Sequence, residues 1–380
     1  MQSGQLTDKW SHLHLRGWPF QTVPDDTFAG IWADRTALKE DLDRMVWRWS
    51  RVDRSTLHLM WADLGAGKTH TLRHIRRRCL DSPELGILPV YVVMPRYMRT
   101  FVEVYQAILA ALDADMLADM FVTMAGRAAA RRTAARELFP SIPDAATALQ
   151  TLALGSDVQR DLAAEWLLGT RLTRRQQDSI GVTRVIRTSD DAVTILSGLV
   201  RIVQAAGPYR RVVVMLDECQ RLGNFKMSIG RDINTGLQTW FDASPNHLTL
   251  LMSFGSGEER YVRHLLSPEL LNREDHQRLN LQLLSEGEAL HFVGDLLETF
   301  RTEGCPSEHF PFMADTVAAV VRRLTGDKGV TPRLLMKAFD RLLEEADSAL
   351  SAGRDFQLDA ETAVKMVEEA LAEKEPSQEE

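Results

Sequence analysis

Cysteine is scarce: Cys79, Cys219 and Cys305 are the three in 380 residues, far apart and without CxxC spacing. That excludes a disulfide framework and a cysteine-based zinc site, and fits a reducing compartment, the cytoplasm. Long apolar runs are missing too. No stretch approaches the roughly 18 residues that a membrane helix needs, so no membrane partner is expected. The opening MQSGQLTDKWSHLHLRGW has no basic segment leading into an apolar one, so no signal peptide is expected. Surplus positive charge is also lacking. The formal net charge of -8 excludes a protein that is basic all over, while leaving room for local patches. Much of the acid lies in VEEALAEKEPSQEE at the end, whereas arginine clusters at 73–78, 126–137 and 171–175.

What is present is ordinary for a globular protein, with 44% hydrophobic and 26% charged residues, and the length suffices for two or three cores. Residues 1–30, rich in tryptophan, proline and glycine, read as an extended arm. Leu38, Leu42, Met45, Val46 and Trp49 then recur at helical spacing. STLHLMW is a buried strand, THTLRHIRRRCL a helix, and ILPVYVVMP a second strand whose continuous apolar run suits a parallel sheet covered on both faces. Helix, strand, loop, helix, strand opens a doubly wound α/β sheet. Residues of about 101–206 carry helical spacing and read as a helical insertion in an α/β core spanning 31–284, which resumes with the strands RVVVMLDE and HLTLLMSFGSG. A helical lid is expected over 285–350, with a capping box at Ser285 and Glu288 and a helix entered through Thr331 and Pro332. The rest, 351–380, reads as an acidic tail without fixed structure.

Between the first strand and the second helix lies WADLGAGKTH, residues 61–70, which resembles the phosphate-binding pattern GxxxxGK[ST] with Ala62 in place of the first glycine. In such a loop consecutive backbone N–H groups turn inward on the phosphates at the positive end of the following helix. Asp63, Leu64, Gly65, Ala66, Gly67 and His70 complete the stretch around Lys68, which would neutralise the β- and γ-phosphates of ATP, and Thr69, whose hydroxyl would ligate Mg2+. Ala62 begins the loop without wrapping the phosphate, so its methyl is tolerable there. VVVMLDE ends in Asp217, placed to order the Mg2+ water shell, and Glu218, placed to polarise an attacking water. A small-molecule kinase has no need of such a glutamate, so the pair points to hydrolysis. At the tip of the next strand Ser253 and Ser256 are candidates to hold that water, with Ser256, after the turn glycine Gly255, preferred. Arg333 sits in the first turn of a helix, where a cation is disfavoured unless it meets an anion such as a γ-phosphate. Arg273 and Arg278 precede the lid, where either could project as a finger into a neighbouring subunit or serve as a surface salt-bridge partner.

This order of loop, DE strand, polar strand tip and helical lid with an arginine at its proline-led helix resembles the AAA+ ATPases, P-loop αβα sandwiches with a parallel sheet and a C-terminal helical lid. Within them, GWPFQTVPDDTFAGIWADRTALKEDL is similar to the opening of the group holding the origin-recognition and Cdc6-like initiators, the TniB, TnsC and MuB transposition regulators and ExeA. That resemblance implies that Val23, Pro24 and Phe28 pack on the adenine. It further implies a homo-oligomer that engages DNA and recruits a partner such as a nuclease, a helicase or a transposase-like protein. Arg127, Arg131, Arg132 and Arg136 lie near one helical face and could track phosphates, or simply form a solvated face. GAGKTHTLRHI and the segment from Trp166 to Glu218 are similar to ATP-binding proteins of BREX-type anti-phage islands. The alternative reading is an ATP-dependent signalling or scaffold switch acting on protein partners without DNA.

Overall fold

The computed structural model describes residues 9–21, 28–33, 35–127, 137–275 and 278–372. Helix α1 (Thr36–Arg51) leads into strand β1 (Thr56–Ala62), and helix α2 (Lys68–Leu80) follows the glycine loop. Strand β2 (Ile87–Val93) is followed by a stretch whose described elements are the helices α3 (Phe101–Ala110), α4 (Ala114–Arg127), α5 (Asp144–Leu154), α6 (Asp157–Leu167), α7 (Arg174–Ile180) and α8 (Ser189–Ala206). The sheet resumes with β3 (Arg211–Asp217), α9 (Met227–Ala243), β4 (Leu248–Gly255), α10 (Glu259–Leu265) and a two-residue β5 (Leu279–Asn280). The helices α11 (Glu286–Phe300), α12 (Ala314–Thr325), α13 (Pro332–Ser351) and α14 (Ala360–Ala372) follow.

All strand pairs are parallel, in the order β2-β3-β4-β1-β5. The carboxyl ends of β1, β3 and β4 therefore share one edge of the sheet, where open α/β sheets bind their ligands. The strands are buried nearly throughout, which explains their unbroken apolar runs. Side chains alternate. Leu57, Leu59, Trp61, Val214, Leu216, Met252 and Phe254 join the core made with α3, α8 and α9. His58, Asp217, Thr249 and Ser253 fall on the opposite face by the two-residue period. On that face Trp49 of α1 donates to His58 at 3.0 Å, so helices cover both sides of the sheet.

Packing divides the chain into two compact units. One holds Leu42–Ala62 and Ile75–Asn280, hence the whole sheet. The other gathers the described parts of Met1–Asp41, with Asp63–His74 and Leu281–Glu380. The second unit has its own core, in which Leu13, Leu15 and Phe20 pack with Val293, Val317, Leu335 and Phe339. Trp18 donates from Nε1 to Asp340 at 2.6 Å, and the backbone of Leu15 bridges to that of Arg301. The aromatic opening segment is thus folded onto the C-terminal helices, because its large apolar side chains are better buried than solvated.

The expected unstructured tail over 351–380 is corrected over Ala360–Ala372, which form α14, with Ala363 and Val367 buried against the lid helices. Residues 373–380 lie outside the described residues. Both cap expectations match: Ser285 accepts from the Glu288 N–H at 3.4 Å, and Thr331 accepts from the Leu334 N–H at 3.2 Å ahead of Pro332. Among the described residues no helix is long and apolar enough to cross a membrane.

Candidate nucleotide site

Ala62 is the last residue of β1 and pairs with Gly255 of β4, so its methyl belongs to the strand and not to the turn. The turn itself rests on Gly65 and Gly67, whose φ angles of 84° and 100° an L side chain rarely adopts. Ala66 between them is buried, and its N–H donates to the Asp63 carbonyl at 3.2 Å. Leu64 is exposed. Lys68 opens α2 with its side chain folded back, Nζ donating to the Asp63 carbonyl at 2.9 Å, and Thr69 and His70 follow in the first turn. This glycine-bent loop feeding a helix N-terminus fits a phosphate group. His70 packs beside Trp32 and His74. Burial, then the neighbouring His74, pushes its pKa down to about 4, leaving a neutral imidazole at pH 7.

Two further groups rest on the loop within the same unit. The Arg333 N–H donates to the Gly65 carbonyl at 3.2 Å, and a Cβ on Gly65 would meet the Arg333 Cβ at 2.9 Å. The first turn of α13 therefore lies directly on the glycine. Arg35, which the sequence did not single out, donates from Nη1 to the Ala66 carbonyl at 2.9 Å and from Nη2 to the Gln282 carbonyl. Its own φ of 52° is unusual for a non-glycine residue. Nothing in its local sequence distinguishes it from the other arginines nearby. Phe28, an adenine candidate, is buried and stacks on Phe300 with ring centroids 5.4 Å apart, while Val23 and Pro24 lie outside the described residues.

The sheet unit holds the acidic candidates. Asp217, buried at the end of β3, accepts from the Tyr91 hydroxyl at 3.0 Å and from the Glu218 N–H at 2.9 Å. Glu218 turns the chain in the left-handed region, φ 61° and ψ 33°, ahead of a short helical turn over Cys219–Asn224. Its Oε2 accepts from Gln220 Nε2 at 2.9 Å and lies 3.7 Å from Arg221. Tyr91, Gln220 and Arg221 escaped the sequence reading, because their roles depend on how the strand ends meet. Ser253 is fully buried on the same sheet face as Asp217, and its hydroxyl makes no hydrogen bond among the described residues. Ser256 instead accepts from the Glu258 N–H at 3.2 Å in the turn after β4.

Arg273 and Arg278 are both engaged within the chain. Arg273 grips Asp242 through two bonds of 2.8 and 3.2 Å, and this bonding holds the Asp242 carboxyl below its usual range. Arg278 reaches Glu259 at 2.9 Å and Glu274 at 3.2 Å. The side chain of Arg127, and all of Arg131, Arg132 and Arg136, lie outside the described residues. Among the described residues no cluster of three or more His, Cys, Asp or Glu could hold a metal. A magnesium ion here would need phosphate oxygens to complete its shell, as is usual for that ion.

No protein-family model matches the sequence, and no curated protein matches it. Solved structures do match. The Aeropyrum pernix ORC2 protein, solved as ADPNP-ADP complexes, is similar with a TM-score of 0.54 at 14% identity, over 91% of this chain and 71% of that one. The Aeropyrum pernix ORC1 protein in complex with DNA is similar with a TM-score of 0.50 at 16% identity, over 93% of this chain and 69% of that one. At these identities what is shared is the fold: the five-stranded parallel sheet with its helices matches the P-loop α/β fold of these AAA+ structures.

Proposed function

We propose that the chain is an AAA+ ATPase that binds ATP with Mg2+ through the 62–70 loop and hydrolyses it to drive a DNA-associated assembly or partner-recruitment switch. The observation that carries this reading is the loop at the carboxyl end of β1, with two left-handed glycines and Lys68 at the head of α2. Strand β3 of the parallel sheet ends in Asp217, with Glu218 the next residue. In this reading the loop amides and Lys68 hold the phosphates, and the Thr69 hydroxyl and Asp217 are the protein oxygens for the metal. Bound magnesium would screen the phosphate charge. Glu218 orients and deprotonates water, Ser256 or Ser253 steadies it, and Arg333 answers the γ-phosphate from the lid. Val23, Pro24 and Phe28 would line the adenine.

Homo-oligomeric assembly, with Arg273 or Arg278 as a finger, belongs to the same proposal, as does recruitment of a nuclease, helicase or transposase-like partner in anti-phage defence or mobile-element control. DNA is bound by the similar Aeropyrum pernix ORC1 protein, which supports assigning a DNA step here. The second reading, an ATP-occupancy switch on protein partners, draws support from one observation: both finger candidates are already paired with acids of their own chain.

The test is ATP turnover and binding with and without single- and double-stranded DNA. Lys68→Ala is expected to abolish binding, and Glu218→Gln to keep binding while stopping turnover. Unchanged affinity in the first variant overturns the loop assignment. Turnover in the wild type that DNA leaves unaltered favours the second reading.

A further inference from the structure

Glu218 does not stand at the end of β3 by its own preference. Its backbone lies in the left-handed region, which a non-glycine residue adopts only where the surroundings impose it. The surroundings here are Gln220 and Arg221. Gln220 Nε2 donates to Glu218 Oε2 at 2.9 Å, and Gln220 Oε1 accepts from the Gly255 N–H at 2.7 Å. Arg221 donates to the Met94 carbonyl just beyond β2 and lies 3.7 Å from the same carboxylate.

The orientation of the Gln220 amide follows from chemistry alone. A backbone N–H only donates, so the amide oxygen must face Gly255. An ionised carboxylate only accepts, so the amide nitrogen must face Glu218. A flipped amide would set oxygen against oxygen on one side and N–H against N–H on the other. Gly255 makes the arrangement sterically feasible, since a Cβ there would lie 2.8 Å from Gln220 Nε2 and 2.9 Å from its Cδ. The bridge thus joins the end of β3 to the tip of β4, beside the turn that carries Ser256.

We propose that Gln220 is a positioning residue for ATP hydrolysis: its amide fixes the Glu218 carboxylate and ties its place to the backbone at the tip of β4. The inference rests on the reading of Glu218 as the group that orients water. Any shift of the β4 tip, such as one accompanying a change at the γ-phosphate, moves the Gly255 N–H and so redirects Glu218 through a single side chain. A misplaced general base loses rate without losing substrate.

The experiment measures kcat, KM and ATP affinity for Gln220→Ala, Gln220→Glu, Gly255→Ala, Glu218→Gln and the Gly255→Ala/Gln220→Ala double variant of the full chain. Gln220→Glu keeps the shape and the acceptor for Gly255, but at neutral pH it offers Glu218 no donor. Both Gln220 variants are expected to lose about tenfold to a hundredfold in kcat, with ATP affinity and KM changed less than about threefold. Retained ATP affinity also certifies that each variant is folded. Gly255→Ala is expected to lose kcat by displacing the amide, and to cost nothing further once Gln220 is alanine, as two changes acting through one contact do. Gln220→Glu with wild-type kcat beside an inactive Glu218→Gln overturns the role of Gln220 and leaves Glu218 untouched. A loss expressed in KM or in ATP affinity also overturns it, reducing Gln220 to a structural part of the loop. Undiminished turnover in Glu218→Gln, or none in the wild type, removes the reading on which the inference rests.

Discussion

At the scale of single residues the missing first glycine of the loop and its two remaining glycines differ in kind. Ala62 occupies strand geometry, whereas Gly65 combines a φ of 84° with the Arg333 Cβ at 2.9 Å from any Cβ it might carry. Gly65→Ala is therefore expected to weaken ATP binding at least about tenfold, since the left-handed backbone alone costs about 1–2 kcal/mol and the contact adds to it. Ala62→Gly is expected to bind within about twofold of wild type, because it changes a strand end and no phosphate contact. Titration with a fluorescent ATP analogue checks both, and equal effects of the two substitutions would refute the distinction. The loop was legible in the sequence because its spacing encodes backbone geometry directly. The choice between Ser253 and Ser256 was half legible: counting alternate residues along β4 from Met252, which faces the helical core, places Ser253 on the face of Asp217. Arg35 and Gln220 were not legible. Their importance comes from which carbonyls, amides and carboxylates the fold brings to them.

At the scale of elements Arg211 is the instructive residue. It begins β3 almost wholly buried, 2% exposed, and burial pushes its pKa down to about 10. The guanidinium donates to the Leu248 carbonyl at 3.1 Å, to the Thr249 hydroxyl at 2.7 Å, to the Arg54 carbonyl at 2.9 Å and to the Val52 carbonyl. It thereby ties the α1–β1 connection to β3 and β4. Arg211→Ala leaves those acceptors unpaired and opens a cavity, and is expected to lower unfolding stability by about 3 kcal/mol. Arg211→Met fills most of the space and is expected to cost less. Urea unfolding checks this through a lower midpoint at an unchanged slope, and a methionine variant as stable as the wild type would show that the bonds contribute nothing net. Four strands were legible because buried parallel strands read as apolar runs. Two elements were not: β5 has only two residues, and α14 buries only Ala363 and Val367, too sparse a stripe to stand out in an acidic segment.

At the scale of the molecule the fold was legible through the order of its motifs, while the DNA step rests on charge that order does not reveal. A chain of net charge -8 repels a polyanion overall, so any nucleic-acid contact must come from a local cluster of arginines. Arg127, Arg131, Arg132 and Arg136 are one such cluster in the sequence. Each phosphate neutralised releases counterions, so the logarithm of the binding constant falls with the logarithm of salt by about 0.9 per contact. If these four track the backbone, replacing them together by glutamine is expected to weaken double-stranded DNA binding at every sequence alike and to flatten the salt slope by up to about 3.6, at 0.9 per contact. DNA-stimulated turnover should fall in step, while ATP turnover without DNA stays at its wild-type value, because none of the four belongs to the proposed nucleotide site. Binding isotherms from low to moderate salt, with ATPase rates on the same samples, measure all three quantities. An unchanged slope would move the DNA contact to another surface, and an unchanged slope with no stimulation in the wild type would favour the switch that acts on protein partners.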